Sequence, residues 1–290
     1  VSVWRSAITA QHAFERLKRL LDTHPERDPG LSRVAPQGRL TLRNVVATAP
    51  NRPQPILKDV SFEVPAGATL VVLGASGSGK STLARVMLGI WGEVQGEVLL
   101  DGSPIENWDR IELGPHVGYL PQDIELFDGT IAENIARLGE VNPQQVIAAA
   151  KSAGLHEMIL RFPNGYDTPI GEAGSILSGG QRQRVALARA VYGQPRLVIL
   201  DEPNANLDDV GEQALARTVA QLKQSGVTVV LITHRPGALA LADLMLLMAD
   251  GRLQAFGPRD AVLEALRQAQ QAAQAAQAGG AAPASSPNPA

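Results

Sequence analysis

Three short runs of this chain carry no polar interruption: "LVVL" (Leu70–Leu73), "LVIL" (Leu197–Leu200) and "VVLI" (Val229–Ile232). A strand with one wet face alternates apolar and polar side chains, so an unbroken run marks a strand covered on both faces, as in a parallel sheet. Each run leads into polar residues at its carboxyl end. "RLTLRNVV" (Arg39–Val46) and "ILKDVSFEV" (Ile56–Val64) read as two further strands around a loop rich in Pro and Asn. A helix is expected from Lys80 to about Ile90. From about Glu125 to Val191 the strand pattern stops and helical spacing dominates, as a helical insertion would. Strands alternating with helices predict an α/β fold with a largely parallel core. Such sheets bind ligands beyond the carboxyl ends of their strands, where all three polar clusters fall.

The flanks differ from this core. Ser6–Leu21 reads as an amphipathic helix, with Phe14, Leu17 and Leu21 on one face and the i,i+4 pair Glu15 and Arg19 on another. "THPERDPG" (Thr23–Gly30) ends it with two prolines and a glycine. It is either a plain surface helix or a stalk descending from something upstream. At the other end, "RQAQQAAQAAQAGGAAPASSPNPA" can extend a helix in its first half. Its second half has no aromatic or large aliphatic residue and is expected to be disordered. The organisation expected is residues 1–30 as helix and linker, 37–266 as the main domain and 267–290 as a tail.

Composition narrows the chemistry. The 290 residues hold no cysteine, which excludes disulfides and thiolate metal sites. A net charge of -3 gives no reason to expect a nucleic-acid partner. No apolar run reaches the roughly 18–20 residues of a membrane span. The chain opens "VSVWRS", without methionine, and is expected to be cut from a longer protein.

"GASGSGKST" (Gly74, Ala75, Ser76, Gly77, Ser78, Gly79, Lys80, Ser81, Thr82) contains G-x-x-x-x-G-K-[ST] in full. Its glycines let backbone N–H groups curl around phosphate oxygens, and the following helix offers its positive end. Lys80 would reach the β- and γ-phosphates and the Ser81 hydroxyl would hold Mg2+. An apolar strand before it and a helix after it argue against a mere glycine turn. "LVILDE" ends in two carboxylates. Asp201 would bind Mg2+, directly or through water. Glu202, one residue on, could deprotonate an attacking water. His234 ends the strand "VTVVLIT" and could reach the γ-phosphate, whereas His12, His24, His116 and His156 read as structural. Gln122 in "YLPQD" can ligate Mg2+ through its amide oxygen and sense the attacking water. "LSGGQ" (Leu177–Gln181) opens another helix with Ser178, Gly179, Gly180 and Gln181, a second start suited to an anion or simply a helix cap.

Taken in order, Walker A, "YLPQ", "LSGGQ", "LVILDEP", "ANLD" and "ITH" resemble an ATP-binding-cassette (ABC) ATPase from about Arg39 to Leu263. The resemblance implies a RecA-like P-loop core with an antiparallel β subdomain and a helical subdomain over about 125–191. It implies ATP and Mg2+ as ligands. It also implies two cassettes packed head to tail as a homodimer, with Ser178 and Gly180 closing on the partner's γ-phosphate and Asp208 at the seam. "LFDGTIAENI" (Leu126–Ile135) is similar to the exporter form of the segment after the Q-loop. "TPIGEAG" (Thr168–Gly174) resembles the exporters' loop before the signature, with Ala173 where an arginine is common. "DEPNANLD" and "THRPGAL" are most similar to type I secretion exporters of the alkaline-protease and lipase kind. That implies a transmembrane domain on the same full-length chain, a membrane-fusion protein, an outer-membrane channel, a protein cargo and a place at the cytoplasmic face of the bacterial inner membrane. An importer ATPase and a nucleotide-gated module without hydrolysis remain as alternatives.

Beyond Ala173, the resemblance fails at a second position. Where exporters carry a tyrosine that stacks on adenine, this chain has Ala49, and no aromatic residue occurs between Phe14 and Phe62. Arg52 is the nearby alternative for stacking. Loss of base stacking removes about 1–3 kcal/mol. ATP and GTP are therefore expected to compete for the chain with dissociation constants within about tenfold of one another. Titration with both nucleotides checks this, and strong rejection of GTP would contradict it.

Overall fold

The computed structural model describes residues 2–23, 34–49 and 54–279. Its strands are β1 (Leu40–Thr48), β2 (Leu57–Val64), β3 (Thr69–Gly74), β4 (Glu93–Leu100), β5 (Ser103–Pro104), β6 (Val117–Leu120), β7 (Leu197–Asp201), β8 (Thr228–Ile232), β9 (Leu244–Ala249) and β10 (Arg252–Pro258). Its α-helices are α1 (Ser2–Thr23), α2 (Lys80–Met87), α3 (Arg110–Leu113), α4 (Ile131–Ile135), α5 (Pro143–Ser152), α6 (His156–Ile159), α7 (Gly179–Val191), α8 (Asp209–Gln224) and α9 (Arg259–Gly279).

The three apolar runs are the centre of a six-stranded sheet ordered β10-β9-β3-β8-β7-β6. Strands β9, β3, β8, β7 and β6 run parallel, and β10 closes the edge antiparallel to β9. Side chains on successive strand residues face opposite sides. Leu70, Val72, Leu197, Ile199, Val230 and Ile232 accordingly join one apolar cluster with α2 and the antiparallel sheet. Val71, Val198, Leu200, Val229 and Leu231 join the other, with α4, α5, α7 and α8. Both faces are covered, which is why the runs show no alternation. The second sheet, β2-β1-β4-β5, is antiparallel throughout and does alternate, β2 reading buried and exposed by turns.

Helices α4, α5, α6 and α7 lie within residues 131–191, joined by turns and loops with no strand between them. Helix α4 starts in a reciprocal cap: the Glu133 N–H donates to Thr130 Oγ1 and the Thr130 N–H to Glu133 Oε2. Asn134, fully buried, donates to the carbonyls of Phe127 and Thr130 while its Oδ1 accepts from the Phe127 N–H. This one amide pins the Leu126–Thr130 turn onto the helical lobe.

The strand expectations for Arg39–Val46 and Ile56–Val64 hold as β1 and β2. Helix α2 ends at Met87 rather than near Ile90, because the Gly89 and Ile90 N–H groups turn back onto the Val86 and Arg85 carbonyls in a Schellman closure. The amphipathic N-terminal stretch is helical from Ser2 to Thr23, and Phe14, Leu17 and Leu21 on its apolar face are exposed. The helix expected in the first half of the tail is α9. The linker at 24–33 and the last segment, 280–290, lie outside the described residues. Among the described residues no helix is long and apolar enough to cross a membrane.

Asn134→Ala would leave the Phe127 N–H buried without its acceptor and open a small void. Unsatisfied buried groups cost about 1–3 kcal/mol, and urea unfolding at unchanged m is expected to register a loss of that size.

Candidate functional site

The carboxyl ends of β3, β8, β7 and β6 converge on a cavity of about 1100 Å3. Gly74, Ala75, Ser76, Gly77, Gly79, Lys80, Ser81 and Thr82 line it, together with Gln122, Glu202 and His234. Four segments far apart in sequence thus meet as the motifs imply. Ser78 belongs to the same loop but turns inward and is buried. The loop leaves β3 and enters α2 through Gly79, which caps the helix at φ 97, a left-handed conformation that L side chains rarely adopt. A Cβ there would also touch Leu57 Cδ2 at 3.0 Å, so the loop lies tight against β2. The Lys80 ammonium donates to the carbonyls of Gly74 and Ala75, at 2.9 and 2.8 Å, and these bonds fix the loop's curvature from inside.

Ser81, on the first turn of α2, donates from Oγ to Gln122 Oε1 at 3.3 Å. Gln122 lies two residues beyond the end of β6. Asp201 ends β7, is buried, and has both carboxylate oxygens without a protein hydrogen-bond partner. Burial pushes its carboxyl above the usual carboxylate range and the neighbouring Glu202 charge adds to this, while Ser81, Lys80 and Arg85 pull the other way. A serine hydroxyl, an amide oxygen and an unpartnered carboxylate are the hard oxygen donors that suit Mg2+.

Glu202 adopts φ 52, so the chain turns sharply after Asp201, and its N–H is held by the Ile232 carbonyl at 2.9 Å. The turn sends the two neighbouring carboxylates to different places. Glu202 Oε2 lies 2.8 Å from His234 Nδ1. A carboxylate can only accept, so this bond requires the proton on Nδ1. Thr233, just before, is buried and braces the turns: its N–H donates to the Val72 carbonyl, its hydroxyl to Asn204 Oδ1 at 3.4 Å, and its Oγ1 accepts from the Arg235 N–H.

The structure does not bring "LSGGQ" to this cavity. Ser178 caps α7, accepting at Oγ from the Gln181 N–H, while the Gln181 side chain accepts from the Ser178 N–H. Gly179 and Gly180 form the first turn of α7, backed by Asn206. Asp208 caps α8 and ion-pairs with Arg184 of α7 at 2.6 Å; the Gly211 N–H, then Arg184, hold its carboxyl below the usual range. Ala173 stands exposed in the turn before the signature, at φ 52.

Sequence reasoning missed the far wall of the cavity, formed by Gln54, Pro55, Ile56, Lys58, Asp250 and Gly251. Asp250 and Gly251 sit in the β9–β10 turn, which no motif marks. Among the described residues that line the wall, none is aromatic. Arg52 lies outside the described residues.

A buried carboxyl with a raised pKa destabilises the fold as pH climbs from its unfolded value through its folded one. Asp201→Asn is therefore expected to raise the melting temperature of the nucleotide-free protein at neutral pH, with the gain vanishing below about pH 4. If Asp201 holds Mg2+, the same variant should also show less stabilisation by Mg2+ with ATP than the parent, and a thermal-shift series across pH reads both.

Residues 57–205, more than half of the chain, match the family model described as ABC transporter. The chain is 51% identical over 269 residues to the type I secretion system ATP-binding protein PrsD of Rhizobium meliloti, covering 92% of this chain and 46% of that protein. It is 38% identical over 254 residues to an ATP-dependent lipid A-core flippase of Saccharophagus degradans, covering 87% of this chain and 43% of the relative. Among solved structures, a bacterial Atm1-family ABC exporter with ATP bound superposes with a TM-score of 0.82 at 35% identity, over 93% of this chain and 49% of that one. The chain thus spans about half the length of the relatives it matches.

Proposed function

The chain belongs to the ABC transporter family, and we propose that it is the ATP-hydrolysing domain of an exporter that works as a head-to-tail pair of cassettes. The observation that carries the reading is the Glu202–His234 pair set over a complete phosphate loop in one cavity. A carboxylate held by an imidazole beside a phosphate cradle is suited to transferring a phosphoryl group to water, where positioning and electrostatics do most of the catalysis.

In this reading the loop N–H groups and Lys80 hold the β- and γ-phosphates. Glu202 accepts the proton of the attacking water. His234 fixes Glu202 and faces the γ-phosphate with its other nitrogen. Ser81, Gln122 and Asp201 would hold Mg2+, which when bound neutralises charge on the phosphate oxygens. Ser178, Gly179, Gly180 and Gln181 lie outside the cavity of their own chain. They would serve the nucleotide of a second copy, with the Arg184–Asp208 bridge presenting α7 and the start of α8 together.

The exposed apolar face of α1 supports continuity with a transmembrane domain on a longer chain. Similarity to a type I secretion protein supports a protein cargo, a membrane-fusion protein and an outer-membrane channel as partners, at the cytoplasmic face of a bacterial inner membrane.

Glu202→Gln is expected to bind ATP with unchanged affinity while phosphate release falls at least about 100-fold. It should also accumulate an ATP-dependent dimer by light scattering. Unchanged turnover would remove Glu202 from the role of base, and a strictly monomeric variant at saturating ATP would remove the paired site.

A further inference from the structure

Outside the cavity, Arg137 makes five side-chain hydrogen bonds, all to main-chain oxygens. Its Nε donates to the Arg189 carbonyl, Nη1 to the carbonyls of Gly114 and Val117, and Nη2 to those of Ala190 and Tyr192, at 2.6–3.2 Å. A guanidinium has five N–H donors, and all five are used on main-chain oxygens. Arg189 beside it donates to the Glu125 carbonyl at 3.0 Å. Burial draws the Arg137 guanidinium below its ordinary range, and the charge of Arg189 adds to this.

These acceptors belong to two elements. Gly114 and Val117 lie before and at the start of β6; Arg189 and Ala190 lie in the last turn of α7 and Tyr192 caps it. Helices leave their last carbonyls without internal partners and favour a cation there, so Arg137 completes α7 from another segment. At the same joint the backbones touch: a Cβ on Gly118 would lie 2.0 Å from the Ala190 carbonyl oxygen, leaving no room for any other residue. The opposite ends of the joined elements carry Gln122, just beyond β6, and Ser178, which opens α7. Over its 13 residues α7 is a lever about 20 Å long.

We propose that Arg137 is a positioning residue that locks β6 and α7 into one rigid unit, so that the placements of Gln122 at the chain's own nucleotide and of Ser178 at the partner's are set together. The inference rests on the reading of Gln122 and Ser178 given above.

The chain has no cysteine, so Glu106→Cys and Glu157→Cys, both at exposed positions, give a unique spin-label pair across the two lobes. In the otherwise unchanged protein the label distance is expected to be narrow. In Arg137→Met, which keeps bulk but no donors, it should broaden. The KM for ATP should stay within about twofold while kcat falls about 10- to 100-fold, the signature of lost alignment rather than lost binding. Arg137→Lys, which keeps the charge but cannot reach all five carbonyls, is expected to do the same to a smaller degree, and it decides the matter should Arg137→Met fail to fold. A folded variant with a narrow distance and parental kcat overturns the proposal. The Glu202→Gln protein with Arg137 intact is the control: its failure to dimerise with ATP would count against the paired-site reading, and the label distance without nucleotide would still judge Arg137.

Discussion

In-register parallel pairing is the constraint on which the rest of this molecule depends. Val72 of β3 and Asp201 of β7 both stand opposite Ile232 of β8, and Leu120 of β6 stands opposite Leu200. The four carboxyl ends are thereby level; Gln122, Asp201, Glu202 and His234 each sit within two residues of one of them, and the Gly74–Thr82 loop starts at another. A slip of one residue in any pairing would turn a strand's whole apolar set to the wrong face. Here both faces are packed, so no face tolerates the exchange. The same burial that stabilises the sheet therefore fixes the spacing among phosphate loop, carboxylates, imidazole and amide.

Much of this was legible in advance, for a physical reason. Strands buried on both faces must be continuously apolar, and a phosphate cradle must be rich in glycine, so both leave marks in one short window of sequence. Strands β1 and β2 were readable from their alternation. Strands β4, β5, β9 and β10 were not, since their places are set by long-range pairing: β4 lies against β1 and β9 against β3. The cavity's far wall was hidden for the same reason. Lys58 and Asp250 come together only because β2 and the β9–β10 turn meet, as the Lys58 N–H bond to the Gly251 carbonyl records. Arg137 was equally silent, because an arginine that will bind five carbonyls looks like any surface arginine until the fold supplies them.

Directional polar bonds join the helical lobe to the sheet alongside the apolar cluster they share. Asn134 fastens the turn after Leu126, Gln183 of α7 donates to the Pro203 carbonyl just past Glu202, and Arg137 and Arg189 tie the end of α7 to the strand and loop leading to and from Gln122. Apolar contacts are non-directional and allow sliding, whereas these bonds have fixed geometry. Joints of this kind keep their angles when the elements they join are loaded.

The left-handed backbone at Glu202 sets two demands against each other. Among residues other than glycine, asparagine and aspartate settle most readily into that conformation. Aspartate would keep the charge but fall one methylene short of His234. The backbone favours a short side chain, and the reach requires a longer one. Few replacements can meet both conditions, so this position has far less room for neutral drift than its place in a surface-accessible turn would imply.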